Sequence, residues 1–184
     1  MLAPPWIKIP PAGYGGIEWV VHYLTEELVE RGHEVTLFAS GDSTTKARLV
    51  ATFDEQMPDR IGETLYDLQQ VAGCLLRAGE FDIIHDHSGY AAIAFAQFLD
   101  TPMVHTLHGP FTPDTCRFYQ TFRNSAHYVS ISDYQRSCCP DLQHAGTVYN
   151  PIDIDGWTFR SKDEKEDYLL AFGRLCADKG FHTA

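Results

Sequence analysis

The chain has 184 residues, 44% of them hydrophobic and 21% charged, which is enough for one well-packed soluble domain and a little more. Its formal net charge of -11 at pH 7 argues against a nucleic acid or an anionic membrane as partner, because binding either requires a basic surface. The chain has no apolar run near the roughly 20 residues that span a bilayer and no basic-then-apolar signal pattern, so we expect a cytoplasmic location.

The first predicted unit is a strand, a glycine-rich turn and a helix. An apolar run at residues 1–6 is followed by a loop, by the turn Gly13-Tyr14-Gly15-Gly16 and by a segment with helical apolar spacing. Glycine lets an anion approach the backbone, and a helix start offers unpaired N–H groups and the positive end of the helix dipole. The pattern therefore predicts a site for a phosphate-bearing ligand, although a turn that only reverses the chain would have the same sequence.

Strand-like and helix-like segments alternate along the rest of the first 150 residues. Later strands are predicted at 33–40, 48–53, 81–87, 103–107, 127–132 and 147–149. Helices are predicted at 16–32, 61–78, 90–99, 115–124 and 133–139. Such alternation with short connections is typical of an α/β fold, in which a parallel sheet carries helices on both faces. We therefore predict a Rossmann-like domain over residues 1–150.

The composition changes after residue 150. Residues 151–167 contain a turn and a charged run and are predicted to be a linker. Residues 168–172 form a new apolar strand that leads to Gly173-Arg174-Leu175 and to a helix entry at Asp178-Lys179-Gly180. One strand and half a helix cannot bury a core, so we expect residues 168–184 to be the truncated start of a second domain. Because that strand would expose apolar surface and unpaired backbone groups, packing or homodimer pairing is expected to order it.

Five cysteines are present, at positions 74, 116, 138, 139 and 176. The number is odd and the sequence has no C-x-x-C pair, which favours free structural thiols over a disulfide framework or a zinc site.

Seven short motifs occur along the chain in a fixed order. They are Gly15-Gly16-Ile17-Glu18, Arg31-Gly32-His33-Glu34-Val35, Phe81-Asp82-Ile83-Ile84-His85-Asp86-His87, His105-Thr106-Leu107-His108-Gly109, Ser130-Ile131-Ser132, Tyr149-Asn150-Pro151-Ile152-Asp153, and Gly173-Arg174-Leu175 with Lys179-Gly180. With these motifs, in this order, the chain resembles the amino-terminal part of retaining glycosyltransferases of family 4, the glycogen synthase-like group, which have the two-domain GT-B fold. The resemblance spans nearly all 184 residues and places Met1 inside the first strand, which is therefore expected to be short.

The resemblance implies transfer of a sugar, with retention, from a nucleoside diphosphate sugar to an acceptor. It also implies a cleft between two Rossmann-like domains, with most of the donor held by the second domain and most of the acceptor by the first. Because the departing diphosphate is an anion, the site must stabilise negative charge. The backbone N–H groups of Gly15 and Gly16 are predicted to contribute. By resemblance, Arg174 and Lys179 add the basic pair, so that neither a metal nor another cofactor is required.

His108 is the predicted catalytic residue. It follows a buried strand, immediately before Gly109-Pro110, at the edge where an α/β sheet presents its ligand-facing residues. By resemblance it lies beside the transferred sugar, where it contacts that sugar or positions the acceptor.

A second group of polar residues ends the neighbouring predicted strand. Alternation places His85 and His87 on one face of this strand and Asp86 on the other, which is a poor arrangement for a metal site. Asp86, His87 and Ser88 are predicted to line the acceptor cleft, although loop capping would explain the same residues. The remaining candidates for this cleft, also at strand ends, are Ser132 and Asn150.

Two other classes of protein share parts of this pattern. A nicotinamide-dependent dehydrogenase requires G-x-G-x-x-G and an acidic residue after the second strand, but this chain has Glu18 and Ala39-Ser40-Gly41 at those places. A non-catalytic or degenerate Rossmann-like binding module stays open as an alternative, because truncation leaves the same sequence pattern. The chain alone is expected to be inactive, because the family's nucleoside pocket and paired-glutamate motif lie in the second domain. The acceptor is not specified by the sequence, and one at a membrane surface is compatible with it.

Overall fold

The computed structural model of the chain describes residues 1–171, 173 and 180–183. The chain forms two compact units, Met1–Pro151 and Ile152–Ala184. Within the described residues, no helix combines the length and the apolar character needed to cross a membrane.

The first unit is built on parallel strands, as the alternating sequence pattern predicts. β1 pairs with β2, and β3, β4, β5 and β6 pair in that order, each pair in parallel. The six strands are β1 (Thr36–Ala39), β2 (Arg48–Ala51), β3 (Ile84–Asp86), β4 (Met103–Leu107), β5 (His127–Ser130) and β6 (His144–Thr147).

The predicted first strand is reduced to one bridging residue, Leu2, between the two halves of the sheet. Leu2 is fully buried and forms parallel bridges to Phe38 of β1 and Asp86 of β3. Its N–H donates to the carbonyl of His85 at 2.8 Å, and its carbonyl accepts from the N–H of His87 at 2.9 Å. Leu2 thereby holds β3, and the histidines around it, in place.

Five helices connect the strands. The predicted helix at 61–78 begins later, at Thr64, because Gly62 adopts a positive φ of 88° that interrupts helical geometry. Short 3₁₀ turns occur at Pro58–Arg60, Ala78–Glu80 and Lys162–Glu164. The helices are α1 (Gly16–Glu30), α2 (Thr64–Leu75), α3 (Tyr90–Ala96), α4 (Pro113–Thr121) and α5 (Asp133–Ser137).

Helices cover both faces of the sheet, as predicted. Along β1 the side chains alternate, so that Leu37 packs in one apolar cluster with Val21 of α1. Phe38 packs on the other side, in a larger cluster with Val71 of α2 and Ile93 of α3. The chain therefore has an α/β, Rossmann-like fold.

The last strand of this unit lies earlier than the sequence pattern indicates. We predicted it at residues 147–149, but β6 runs from His144 to Thr147. This segment contains alanine and glycine, which have low strand propensity, so the local sequence gives little signal. Tertiary contacts position it instead, including a 2.6 Å hydrogen bond between His144 Nδ1 and the hydroxyl of Ser130 on β5.

In the second unit, the predicted strand at 168–172 is not formed over its described part. Residues 168–171 have no strand structure, Leu169 is fully exposed at 101%, and Phe172 lies outside the described residues. The described residues of this unit contain no neighbouring strand, and an isolated strand leaves its backbone groups without ladder partners.

Candidate functional site

A cavity of about 220 Å³ lies at the carboxyl ends of β3 and β4, beside the start of α1. This is the edge of a parallel α/β sheet at which ligands bind. Two strand ends, the first turn of α1, the start of α3 and the helix α4 contribute to its wall. The lining residues are Ile17, His87, Ser88, Gly89, Tyr90, His105, Thr106, His108, Gly109, Pro110 and Tyr119.

Three histidines stack along one side of the two strand ends. The ring centroids of His85 and His87 are 4.3 Å apart, and those of His87 and His108 are 5.1 Å apart. His85 Nε2 is 2.8 Å from the hydroxyl of Thr106, and His87 Nδ1 is 2.9 Å from His108 Nε2. These contacts place His85 and His87 on the same side of β3, as alternation predicts.

The three stacked imidazoles are held in their neutral form. Burial lowers the pKa of His85 and that of His108 to about 4. For His87, burial and then the neighbouring His85 lower the pKa well below its usual 6.5. Two neutral rings share one hydrogen bond only if one donates and the other accepts, so the His87–His108 contact couples the tautomers of both rings. His87 Nε2 is buried and has no hydrogen-bond partner among the described residues.

Asp86 lies behind the cavity wall, on the opposite face of β3. It is fully buried and accepts hydrogen bonds from the backbone N–H of Ser88 at 2.9 Å and from its hydroxyl at 2.6 Å. His105, its direct neighbour across the β3–β4 ladder, contacts the other carboxylate oxygen through Nδ1 at 2.6 Å. Asp86 is therefore placed to orient His105 and Ser88, which line the cavity, and does not line it itself.

Tyr119 of α4 extends this buried chain of polar groups. Its hydroxyl is 3.4 Å from His105 Nε2, and burial raises the pKa of the phenol, so it keeps its proton. With His105 Nδ1–H donating to the carboxylate of Asp86, Nε2 is left to accept from the Tyr119 hydroxyl. The three residues thus form one hydrogen-bonded line from α4 to β3.

The glycine turn meets this site at the start of α1. Gly15 is the N-cap residue and has no side-chain cap, while the indole N–H of Trp19 donates to the carbonyl of Gly13 at 3.3 Å. A Cβ atom at Gly15 would lie 2.7 Å from two side-chain carbons of Pro11, so packing requires glycine there. At Gly16, by contrast, a Cβ atom would meet none of the described residues within 4 Å, apart from its chain neighbours and its own helix backbone. Gly16 is exposed and leaves open space beside the first turn of the helix.

Glu18 is a buried acid in the same turn. Its side chain is 5% exposed, and burial raises the pKa of its carboxyl group.

A second cavity, of about 280 Å³, shares His108, Gly109 and Pro110 with the first. Ser132 lies in its wall and also caps α5, because its hydroxyl accepts from the N–H of Gln135 at 3.0 Å. Ser132 therefore both lines the second cavity and caps α5.

Three other predicted site residues do not appear in the walls of these cavities as described. Asn150 is exposed and lines neither cavity, and both Arg174 and Lys179 lie outside the described residues. A larger cavity of about 470 Å³ at the amino ends of β4, β5 and β6 contains none of the predicted site residues. Among the described residues, no group of three histidine, cysteine or acidic side chains is arranged to hold a metal ion.

Sequence reasoning missed five residues of the two cavities that come from helices: Ile17, Tyr90, Tyr119, Tyr134 and Gln135. Their contacts with the strand ends are tertiary, and no local pattern predicts them. His105 could have been found, because alternation along two neighbouring parallel strands places it on the same face as Asp86.

Known proteins similar to this chain are glycosyltransferases. The sequence pattern of Glycosyltransferase Family 4 matches residues 14–155. Glycogen synthases from Mycobacterium tuberculosis strains CDC 1551 / Oshkosh and ATCC 25618 / H37Rv are each 25% identical over 226 aligned positions, covering 96% of this chain and 55% of theirs. The crystal structure of AviGT4, a glycosyltransferase involved in avilamycin A biosynthesis, superposes with a TM-score of 0.56 at 27% identity, covering 83% of this chain and 41% of that one.

The chain spans about half the length of these relatives. The matched segment, residues 14–155, includes the glycine turn and the strand ends that carry His87 and His108, and it covers well over half of the chain. The chain belongs to glycosyltransferase family 4, and its first unit is an amino-terminal Rossmann-like domain of the GT-B type.

Proposed function

We propose that this chain forms the acceptor side of an enzyme that transfers a sugar, with retention, from a nucleoside diphosphate sugar to an acceptor. One observation carries the proposal: Ile17, in the first turn of α1, lines the same cavity as His87 and His108. A helix start that suits a diphosphate and neutral imidazoles that suit sugar hydroxyl groups therefore face one space. Membership of the family supports this reaction class.

The diphosphate of the donor binds, in this proposal, at the turn Gly15-Gly16. The N–H groups of the first helical turn and the positive end of the helix dipole stabilise its charge. Gly16 supports this position because no atom of the protein itself requires glycine there, whereas a ligand approaching the backbone would. Arg174 and Lys179 supply further positive charge, and no metal ion or other cofactor takes part.

His108 contacts the transferred sugar or positions the acceptor. A neutral imidazole offers one donor and one acceptor, and its partner His87 uses one of them. The acceptor cleft comprises His87 and Ser88 in the first cavity and Ser132 in the second, with Asp86 acting through Ser88 and His105. We also propose that Asn150, near the end of the first unit, contacts the acceptor. The acceptor itself, including one at a membrane surface, is left open.

Donor binding by the 184-residue chain is expected to be weak and turnover absent. Nearly half of the relatives' length has no counterpart in the alignment, and the base and ribose contacts are assigned to that part. We therefore expect only the diphosphate contacts to be measurable in this chain.

Nuclear magnetic resonance titration tests the proposal directly. With ¹⁵N-labelled protein, millimolar uridine or adenosine diphosphate should shift the amide signals of Gly16, Ile17 and Glu18. The change Gly16→Val should abolish these shifts and keep the fold, while Gly79→Val, in an exposed turn with equally open space, should preserve them. Absence of shifts at the start of α1 would refute the diphosphate site. If calorimetry gave micromolar affinity of this chain for the nucleotide, tight donor binding would not depend on the base and ribose contacts, and that part of the proposal would be refuted.

Residues 168–171 are proposed to pair with a second copy of the chain. Leu169 is fully exposed and Tyr168 and Leu170 are 63% and 73% exposed, so association would remove apolar surface from water. Size-exclusion chromatography of the chain and of a variant ending at Asp167 measures this. The variant should elute later, as a monomer, and identical monomeric elution of both would exclude the pairing.

A further inference from the structure

The side chain of Gln135 forms three hydrogen bonds to backbone groups near His108. Its side-chain Nε2 donates to the carbonyl of Leu107 at 2.9 Å and to the carbonyl of Gly109 at 2.9 Å. Its Oε1 accepts from the backbone N–H of Ile131 at 2.9 Å. The side chain is buried, with 8% exposure, so these partners replace water.

The partners fix the orientation of the Gln135 amide. Leu107 and Gly109 offer carbonyl oxygens, which only accept, and Ile131 offers an N–H group, which only donates. Only the NH₂ group can face two carbonyls, and only the oxygen can face the N–H group. A carboxylate or an apolar side chain of similar shape could not make the same contacts.

The position of these contacts matters because the strand ladder ends there. The last pair between β4 and β5 is Leu107 with Ser130, and His108 follows it immediately. From α5, Gln135 bridges the carbonyl groups of the two residues that flank His108, Leu107 before it and Gly109 after it. The chain is therefore held on both sides of His108, and the imidazole of His108 contacts His87.

We propose that Gln135 is a positioning residue that holds the backbone of His108 so that its ring meets His87 in one orientation at the wall between the two cavities. The functional value of this orientation rests on the proposed role of His108 in sugar transfer. The positioning itself does not depend on that role and can be measured in this chain.

Histidine side-chain ¹⁵N spectra and their pH titration test the inference. In the unaltered chain the His108 ring should show a single tautomer and should not titrate near pH 6.5. The change Gln135→Met keeps a similar length and removes all three hydrogen bonds. In this variant His108 should show averaged tautomer signals, and its titration midpoint should rise by about one unit or more towards 6.5. His85, whose partner is Thr106, should keep its signals.

The matched control is Gln97→Met, because Gln97 is exposed and its Nε2 donates to a single carbonyl, that of Ala94. It should leave the His108 signals unchanged. Wild-type His108 signals in a folded Gln135→Met variant would overturn the proposal. If that variant does not fold, Gln135→Glu, which keeps the shape and loses the donors at neutral pH, is measured in the same way. If both Gln135 variants unfold, Gln135 contributes only to stability, and the positioning proposal is also overturned.

The nucleotide titration separates this inference from the proposed function. Gln135→Met should leave the diphosphate-induced shifts at Gly16 intact, because Gln135 contacts neither the glycine turn nor α1 in its side-chain hydrogen bonds. Loss of the His108 signature with intact shifts at Gly16 supports the positioning role. Absence of those shifts in every variant would count against the donor site only.

Discussion

Lowering the pH from 7 to 5 should destabilise the first unit, because it buries neutral histidines. Burial lowers the pKa of His85 and that of His108 to about 4, whereas an unfolded histidine titrates near 6.5. Below about pH 6.5 the unfolded chain therefore binds more protons than the folded chain. The free energy of unfolding then falls as the pH falls, and the loss continues down to about pH 4.

The size of the effect follows from these pKa values. At pH 5, a shift from 6.5 to about 4 corresponds to a loss of about 2 kcal/mol for each of the two histidines. His87, whose pKa is lowered further, acts in the same direction. Asp67 acts in the opposite direction, since burial raises its pKa to about 6, and offsets about 1 kcal/mol. The expected net loss is therefore about 3 kcal/mol or more, a large part of a typical domain stability.

Urea unfolding at pH 7 and pH 5, followed by circular dichroism, measures this difference. The double variant His85→Gln/His108→Gln should reduce the difference by about 4 kcal/mol, since both titrating rings are removed. The change His33→Gln, at an exposed position, is the control and should leave it unaltered. Equal or greater stability at pH 5 in the unaltered chain would refute the burial of neutral imidazoles at this site.

Two further predictions concern packing. A thiol reagent at pH 7.5 should modify the exposed Cys138 quickly and Cys139 only after urea is added, because burial raises the pKa of the Cys139 thiol to about 12. Peptide mass spectrometry locates the label, and equal rates of modification at the two cysteines would contradict this prediction. Gly41→Ala should lower the unfolding free energy by about 1–3 kcal/mol, because its Cβ would lie 2.7 Å from the carbonyl oxygen of Asp54. Gly13→Ala, which has open space, should change the stability little in the same urea experiment.

The sheet was predictable from sequence where apolar strands have clear ends. β4 has the predicted bounds, Met103–Leu107, because Pro102 precedes this apolar run and His108-Gly109 follows it. β6 was misplaced because its pairing with β5, and not its own composition, determines where it lies. The strand predicted at 168–172 shows the same limit, since an apolar run becomes a strand only where another strand can pair with it.

The candidate site was predictable as a location. His87 and His108 were each predicted at the end of a strand, and the carboxyl ends of parallel strands share one edge, where the two rings form a hydrogen bond. Their roles in sugar transfer stay predictions. The helix residues that contact these strand ends were not predictable, because Tyr119 and Gln135 reach them from helices 11 or more residues further along the chain. Side-chain direction from a helix to a strand end depends on packing and is not encoded in a local pattern.

Asp86 illustrates the difference between predicting a place and predicting its chemistry. Alternation placed it opposite the two histidines, and its hydrogen bonds from Ser88 are local capping contacts, but its contact with His105 is a tertiary result. In Asp86→Asn, the amide oxygen of the asparagine keeps the contacts with Ser88, and the NH₂ group of the same amide then faces His105 Nδ1. Because an NH₂ group only donates, Nδ1 must accept, so the proton of His105 should move to Nε2, which donates to Tyr119. We expect a loss of about 1.5–3 kcal/mol in unfolding free energy, and about 0.5 kcal/mol or less for the exposed control Asp82→Asn. Histidine ¹⁵N spectra decide the mechanism: a folded Asp86→Asn variant in which His105 keeps its proton on Nδ1 would show that the carboxylate does not set the tautomer.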